Sequence, residues 1–351
     1  MDIKEKSEVT LPTKKPRIDY IDLAKGFCIC LVVFHHYCYQ FTEQDSVVNF
    51  ALISFRMPLY FILSGLFFKD YGSLWNFTLQ KTNKILIPFI TFAGINAILI
   101  AIVHLIKGES ITLQPLSNLY YESIPNYPTW FLWCLFVNGI IFYLVFIVAK
   151  QTKKYMPISI LLLSLIIGVV GFTLGKYGIN LPCYFDTALT VTPFYAFGFL
   201  LRKFTNFLYP NKTDKYNILI AVVCTIYIIL FADKTSFVEN NMEFANIFVV
   251  YSCGLVGTIG ILSISKEIKK LPIISYLGRY SIMILCTHVL FYQFLWRYAV
   301  SYCHNNFNIP QLYTSFGCMV VMCLLYLLII PFMKRFMPYV CAQKDIIKNK
   351  N

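Results

Sequence analysis

The clearest chemical signal in the sequence is a pair of residues at the head of the first long apolar run, Lys25 and His36. They lie eleven residues apart, and eleven steps of an α-helix return to within about 20° of the starting direction, so both side chains share one face. Along the axis they stand roughly 16 Å apart, about half of a hydrocarbon core. Ionisable groups at that depth are costly and are usually kept for function. The spacing suits an enzyme that holds an anionic carrier at one membrane edge and moves a proton deeper in. Asp22, three residues before Lys25, can orient the lysine through an ion pair.

Three more basic residues stand where they could serve the same chemistry. Arg56 lies inside the next apolar run, which returns across the membrane and brings it to a depth similar to that of His36. A buried arginine needs a partner or a polar cavity, and it serves either a structural ion pair or the stabilisation of an oxyanion. Lys81 and Lys84 lie on neighbouring turns of one face if they are in an α-helix. They are either phosphate ligands or ordinary lysines of a membrane edge.

Composition places the chain in a membrane. Of its 351 residues, 58% are hydrophobic and 13% are charged, and the mean hydropathy is +0.64. Soluble domains average about 25% charged residues. The 12 cysteines contain no Cys-x-x-Cys pair and lie mostly in apolar runs, where they are expected to be small buried side chains. No metal site is predicted.

Apolar runs of about 17–25 residues predict transmembrane helices. Ten such runs occur, and the sequence therefore predicts an all-α polytopic membrane protein in a lipid bilayer. The runs cover residues 20–42, 47–68, 85–106, 128–149, 157–174, 184–201, 216–232, 244–264, 276–299 and 311–333.

Lysine and arginine alternate between poor and rich loops along the chain. The rich loops are 69–84, 150–154, 202–215 and 266–279. By the positive-inside rule these loops and both termini are cytoplasmic, which requires an even number of spans. Topology thus explains the net charge of +13, and no nucleic-acid partner is predicted. We expect a disordered cytoplasmic tail over residues 1–16 and a cytoplasmic C-terminal tail over 336–351.

Several motifs accompany the first pair. The segment ISFRMPLYFILSGLFF ends near Ser64-Gly65, KTNKILIP places two lysines ahead of a proline, PTWFLWCLF opens the fourth run, and LGRYSIMILCTH ends at His288. With RIDYIDLAKGFCICLVVFHHY, they resemble the acyltransferase 3 family of integral-membrane acyltransferases, which add O-acetyl groups to surface polysaccharides and related glycans. Lysines stand here where the family more often has arginines. The resemblance covers nearly the whole chain.

The resemblance implies an acyltransferase domain over residues 17–335 in a bacterial plasma (inner) membrane. Acetyl-CoA is then the acyl donor, and the acceptor is a sugar hydroxyl on a carbohydrate or lipid-linked glycan. It implies that His36 is the general base and that Arg56 assists at the thioester carbonyl. The phosphates of the acyl-CoA are then held by three lysines: Lys25, Lys81 and Lys84.

The acceptor site has a weaker signal. Glu122 and Trp130 belong to an aromatic-rich stretch between the third and fourth runs, and aromatic faces stack on sugars, so both are candidate acceptor-binding residues. An interfacial aromatic belt predicts the same aromatic residues. His288 matches the late histidine of the family and is equally well explained as a core histidine. The alternative function is a glycan transporter or flippase, which would also need polar groups at mid-depth.

Overall fold

Helices make up most of the part of the chain that the structure describes, and no strand occurs there. The computed structural model describes residues 17–38, 47–106, 129–179, 181–205, 207–209, 212–233, 246–291 and 295–347. The tail predicted over residues 1–16 lies outside these ranges.

The helices follow the apolar runs of the sequence. In chain order they are α1 (Asp19–Cys38), α2 (Val47–Leu66), α3 (Leu74–Lys81), α4 (Ile87–Ile106), α5 (Trp130–Gln151), α6 (Met156–Lys176), α7 (Phe185–Thr190), α8 (Thr192–Phe204), α9 (Asn217–Phe231), α10 (Ile247–Ile268), α11 (Pro272–Arg279), α12 (Ser281–Phe291), α13 (Arg297–Phe307) and α14 (Gln311–Phe336). A π-helical turn over Thr82–Leu86 joins α3 to α4. Every apolar run predicted from the sequence overlaps at least one of these helices.

The chain is an all-α, multi-pass membrane protein, as the sequence predicted. Seven helical segments are long and apolar enough to cross a membrane, and the bent pair α11–α12 raises the number to eight if it forms one span. The remaining predicted spans are shorter or interrupted. In α2 the apolar helix is Phe50–Leu66, and α7 is separated from α8 at Val191. The predicted number of ten spans and the side on which the termini lie stay predictions.

Helix α1, which carries Lys25 and His36, is one of the two most buried spans. The buried share of its apolar window is 67%, equalled by α5, whereas the window of α9 is only 22% buried. It packs along α11, α14 and α10. Because α1 is enclosed by other helices, its polar side chains face protein rather than lipid, which is where ionisable groups in a membrane are tolerated.

Glycines set the distance between the helices that frame α1. An added Cβ at Gly26 of α1 would overlap the carbonyl oxygen of Ile274 on α11. In the same way a Cβ at Gly65 of α2 would overlap the carbonyl oxygen of Tyr195 on α8, and one at Gly198 would overlap that of Ile62. Without an aqueous hydrophobic effect between helices, such close backbone approach is a main source of packing energy in membranes.

We expect Gly198→Ala to lower the thermal stability of the protein strongly, because its methyl group has no space against the α2 backbone. Overpacking of this kind costs about 1–3 kcal/mol. The matched control is Gly94→Ala, since an added Cβ at Gly94 meets no atom within 4 Å. Thermal unfolding in detergent, followed by size-exclusion profile, should show a lower midpoint for the first variant and an equal or higher midpoint for the second. Equal midpoints for both variants would contradict the packing argument.

Candidate active site

Three histidine rings and one arginine form a polar cluster inside the helix bundle. The ring of His36 on α1 lies 5.1 Å from that of His288 on α12, centroid to centroid, and 5.6 Å from that of His35. His288 is fully buried. The structure therefore brings the histidine of the first motif and the histidine of the late motif together, although 252 positions (288 − 36) separate them in the sequence.

The orientation of His288 is fixed by its own helix. Its Nδ1 lies 2.9 Å from the carbonyl oxygen of Ile284 and 3.1 Å from that of Leu285. Because a carbonyl oxygen only accepts, Nδ1 carries the proton, and Nε2 of the neutral ring keeps its lone pair. Nε2 is buried and has no hydrogen-bond partner within the described part of the chain. The ring thus presents a proton acceptor in the cluster that contains His36.

Arg56 joins this cluster from α2, as the sequence predicted from its depth. Its side chain is buried, and Nη1 donates to the carbonyl oxygen of Leu31 at 3.5 Å. Its own carbonyl oxygen accepts from Sγ of Cys28 at 3.1 Å, which aligns α2 with α1. The guanidinium interacts electrostatically with both His36 and His288. The cluster therefore combines a candidate base with a fixed positive charge.

A cavity of about 300 Å³ opens at the end of the bundle where Lys25 lies. Lys25 and Lys81 both line it, with the hydroxyl-bearing residues Tyr60, Ser64 and Ser281. The rest of its wall is apolar and comes from α1, α2, α5 and α12. Two cations, three hydroxyls and an apolar wall suit a ligand with an anionic head and a less polar arm.

The two lysines of the cavity rest against aromatic rings. Nζ of Lys25 lies 5.8 Å from the ring of Phe67, and Nζ of Lys81 lies 5.3 Å from that of Phe77 and 6.0 Å from that of Tyr195. No salt bridge to either lysine occurs in the described ranges. Cation–π contacts stabilise an ammonium without neutralising it. The positive charge of both side chains is therefore available to an anion in the cavity.

The ion pair expected between Asp22 and Lys25 is replaced by another one. Asp22 accepts from Nε and Nη2 of Arg17 at 2.5 and 3.3 Å, a bidentate arrangement that engages both carboxylate oxygens. The planar fork of a guanidinium matches a carboxylate better than an ammonium does. Lys25 is held instead through its backbone, whose carbonyl oxygen accepts from the hydroxyl of Tyr60 at 3.2 Å.

Lys81 and Lys84 point to different places, which the sequence did not predict. Lys81 immediately precedes a π-helical turn and Lys84 lies within it. The i→i+5 bonding of this turn puts more residues in a turn than an α-helix has, so positions three apart no longer share a face. Lys81 lines the cavity. Lys84 is exposed and forms a 2.7 Å salt bridge with Asp345. The role of Lys84 in phosphate binding stays a prediction.

Of the two predicted acceptor residues, Trp130 does not line the cavity, although the next residues Phe131 and Leu132 do, and Glu122 lies outside the described residues. Trp130 is only 4% exposed and packs against the ring of Tyr184, with centroids 5.3 Å apart. Glu122 falls within residues 107–128, outside the described ranges. No residue of the described chain is thus assigned to the acceptor by geometry.

Sequence reasoning missed three residues of the cavity region. Tyr60 and Ser281 line it, and Arg202 stands near its mouth, with the guanidinium 5.9 Å from the ring of Phe67. Arg202 also donates to the carbonyl oxygen of Leu66 at 3.1 Å. Arg202 belongs to a basic loop of the sequence. A basic residue in such a loop is expected both from membrane topology and from ligand binding, so the sequence did not mark Arg202 as part of the cavity region. Tyr60 and Ser281 carry no charge or spacing that marks them.

The cavity and the histidine cluster are neighbours along the same helices. Ile29, one turn after Lys25 on α1, lines the cavity, and His36 follows two turns later. Leu285 on α12 lines the cavity as well, and its carbonyl oxygen is one of the acceptors for His288. His36 itself is not among the lining residues. The lining of the cavity therefore ends about two helical turns before His36 along α1 and about one turn before His288 along α12.

The chain was compared with known protein families and proteins. A family model described as an acyltransferase domain matches residues 18–340, nearly the whole chain. Searches of curated proteins and of solved structures found no significant match. The match spans every part of the site described above, and it favours an acyltransferase over a transporter. The chain belongs to the acyltransferase 3 family and is a membrane-embedded acyltransferase.

Proposed function

We propose that the protein transfers an acetyl group from acetyl-CoA to a hydroxyl of a sugar on a surface glycan or glycolipid. The observation that carries this proposal is the alignment, along α1, of a cation-bearing cavity with His36, whose ring lies 5.1 Å from that of the buried His288 on α12. In this proposal the cavity binds the acyl donor, and the imidazoles carry out the proton transfer. The acceptor approaches from the side of the bundle opposite to the donor, and Trp130 and Glu122 remain its candidate ligands.

The contents of the cavity support a coenzyme A thioester as donor. Its phosphates carry several negative charges, which Lys25 and Lys81 attract and which Arg202 near the mouth reinforces. The pantetheine arm is less polar and carries amides that the hydroxyls of Tyr60 and Ser281 can engage. An arm that continues past Ile29 along α1 brings the thioester toward His36.

The histidine cluster supports general base catalysis. His36 removes the proton of the sugar hydroxyl while the oxygen attacks the thioester carbonyl. In the reacting complex, Nε2 of His288, which has no hydrogen-bond partner in the described structure, accepts from the other nitrogen of His36 and so orients its ring. Arg56 stabilises the negative charge that develops on the carbonyl oxygen. The C–O bond forms, the C–S bond breaks, and the proton on His36 passes to the leaving thiolate to give coenzyme A.

The family supports a location in a bacterial plasma membrane, and the distribution of basic residues supports the orientation of the chain in it. If the loops rich in lysine and arginine are cytoplasmic, the cavity opens to the compartment that contains acetyl-CoA. The imidazole cluster then lies nearer the outer surface, where growing glycans are found. In this arrangement donor and acceptor reach the reacting atoms from opposite sides.

We expect acetyl-CoA and desulfo-CoA to raise the thermal unfolding midpoint of the detergent-solubilised protein. Ligands that bind only the folded state stabilise by about 2.7 kcal/mol at a hundredfold excess over Kd. Lys25→Met or Lys81→Met should weaken binding about tenfold, since each removes one charge-assisted contact. Lys150→Met, which removes a charge paired with Asp70 elsewhere, is the control. A wild-type protein that does not respond to either ligand would contradict the donor assignment.

We expect His36→Gln to abolish acetylation, because His36 is the proposed base and the amide of glutamine does not take up a proton in its place. Loss of a general base costs about 100- to 10,000-fold in rate. The measurement is mass spectrometry of surface glycans from cells that carry the gene, lack it, or carry the variant, with a gain of one acetyl unit as the signal.

The control for this variant is His304→Gln, which changes an exposed histidine of α13. Both variants should insert at the wild-type level. Glycan acetylation by His36→Gln at the wild-type level would exclude His36 as the base.

We expect His288→Leu to reduce kcat at least tenfold without changing the KM for acetyl-CoA, because His288 orients His36 and lies away from the donor cavity. His288→Gln places a carbonyl oxygen near the position of Nε2 and should recover part of the rate. Initial rates of coenzyme A release in the presence of acceptor measure both. Equal rates for the leucine and glutamine variants would show that His288 only fills space.

A further inference from the structure

The end of the described chain folds back onto the π-helical turn between α3 and α4. Asn83, at the centre of this turn, is fully buried. Its Nδ2 donates to the carbonyl oxygen of Ile347 at 2.9 Å, and its Oδ1 accepts from the backbone N–H groups of Ile346 and Ile347 at 3.0 and 2.9 Å. One side chain therefore makes three hydrogen bonds with the backbone of a segment more than 260 residues away.

Lys84 adds two contacts from the same turn. Its ammonium forms the salt bridge with Asp345 and donates to the carbonyl oxygen of Ala342 at 3.2 Å. The side chains of the ion pair are 45% and 39% exposed, so the pair by itself contributes little. Ala342 has a φ of 59°, a left-handed conformation that a residue with a Cβ keeps only when its surroundings hold it there.

The returning segment is itself an ordered turn rather than a loose tail. The backbone N–H groups of Gln343 and Lys344 donate to the carbonyl oxygen of Pro338 at 2.9 and 3.0 Å. Cys341 is 1% exposed and packs into the main apolar core. Residues 338–347, which we name the C-terminal clasp, are thus anchored at one end in the core and at the other end on Asn83.

The clasp does not line the donor cavity, but it holds the element that does. None of its residues is among those that line the cavity, whereas Lys81 immediately precedes the turn that it grips. A π-helical turn is rare, and it occurs mostly where other contacts or a function favour it. If these contacts were lost, the turn would relax to α-helix, and the resulting rotation of α3 relative to α4 would move Lys81 away from the cavity.

We propose that Asn83 and the C-terminal clasp are positioning elements of the donor site, which hold the π-helical turn so that Lys81 points into the cavity. This inference rests on the proposed function, since it takes the cavity as the site of acetyl-CoA. Asn83 and the clasp act through Lys81 and touch neither the donor nor the reacting atoms. Their loss should therefore change the affinity for the donor and leave the chemical step alone.

The experiment compares Asn83→Ala and a chain shortened after Cys341 with the wild-type protein. Both changes should raise the KM for acetyl-CoA, and the Kd for coenzyme A, about tenfold, with kcat within twofold of the wild-type value. Asn83→Asp keeps the oxygen that accepts from Ile346 and Ile347 and should recover part of the affinity. The matched controls are Asn306→Ala, an exposed position on α13, and a chain shortened after Ile347, and both should leave KM unchanged.

A double-mutant cycle separates positioning from general damage. In a Lys81→Met background, Asn83→Ala should cause no further rise in KM, because the side chain that it positions is already absent. Effects that multiply in the double variant would overturn the proposal, as would a loss of kcat or of thermal stability without a change in KM. If wild-type protein binds neither acetyl-CoA nor coenzyme A, the proposed function and this inference both fail. If wild-type protein binds and Asn83→Ala binds equally well, only this inference fails.

Discussion

The cost of keeping charge inside a bilayer shapes every part of this site. A lysine or arginine at the centre of a membrane helix costs about 2.5–3.5 kcal/mol by insertion measurements, and the protein encloses several ionisable side chains within its bundle. Within the described residues, it meets the cost without carboxylate partners at the cavity. Arg56 and His288 donate to backbone carbonyls, while Lys25 and Lys81 lie against aromatic rings. These contacts stabilise the side chains. They leave the positive charges of the lysines and the Nε2 lone pair of His288 available for binding and proton transfer.

Close helix packing makes this arrangement possible. The glycine contacts between α1 and α11 and between α2 and α8 hold α1 and α2 each close to a neighbouring helix. The bond from Arg56 to Leu31 and the bond from Tyr60 to Lys25 cross the interface between α1 and α2, the two helices that these contacts position. The geometry of the polar site therefore depends on the small residues at the helix interfaces. A chain with larger residues at the crossings would separate the carbonyls from the groups that they hold.

Patterns with a regular period could be read from the sequence, and irregular features could not. The eleven-residue spacing in α1 follows helical geometry, and the depth argument for Arg56 follows the return of the chain across the membrane, so both gave the correct neighbourhood for His36. The split of Lys81 from Lys84 depends on a π-helical turn, which has no composition signal. The pairing of His36 with His288 and the contact of Asn83 with Ile347 are long-range contacts, and a single sequence gives no means to predict them. The sequence predicted Lys25 as the partner of Asp22, but Asp22 pairs with Arg17, because the planar guanidinium of Arg17 binds a carboxylate better than an ammonium does.

The sharp bend between α11 and α12 has an electrostatic consequence. Where a helix begins, its first backbone N–H groups lack intrahelical partners and carry about half a positive charge between them. The 89° turn makes Ser281 the first residue of a new helix, and Ser281 lies on the wall of the cavity. In a straight helix through this region, those backbone N–H groups would have been hydrogen-bonded within the helix and would have added no local positive charge. The break between α11 and α12 instead adds positive charge from the main chain to the electrostatic field of the lysines. This contribution does not change with pH and does not depend on the identity of the side chains.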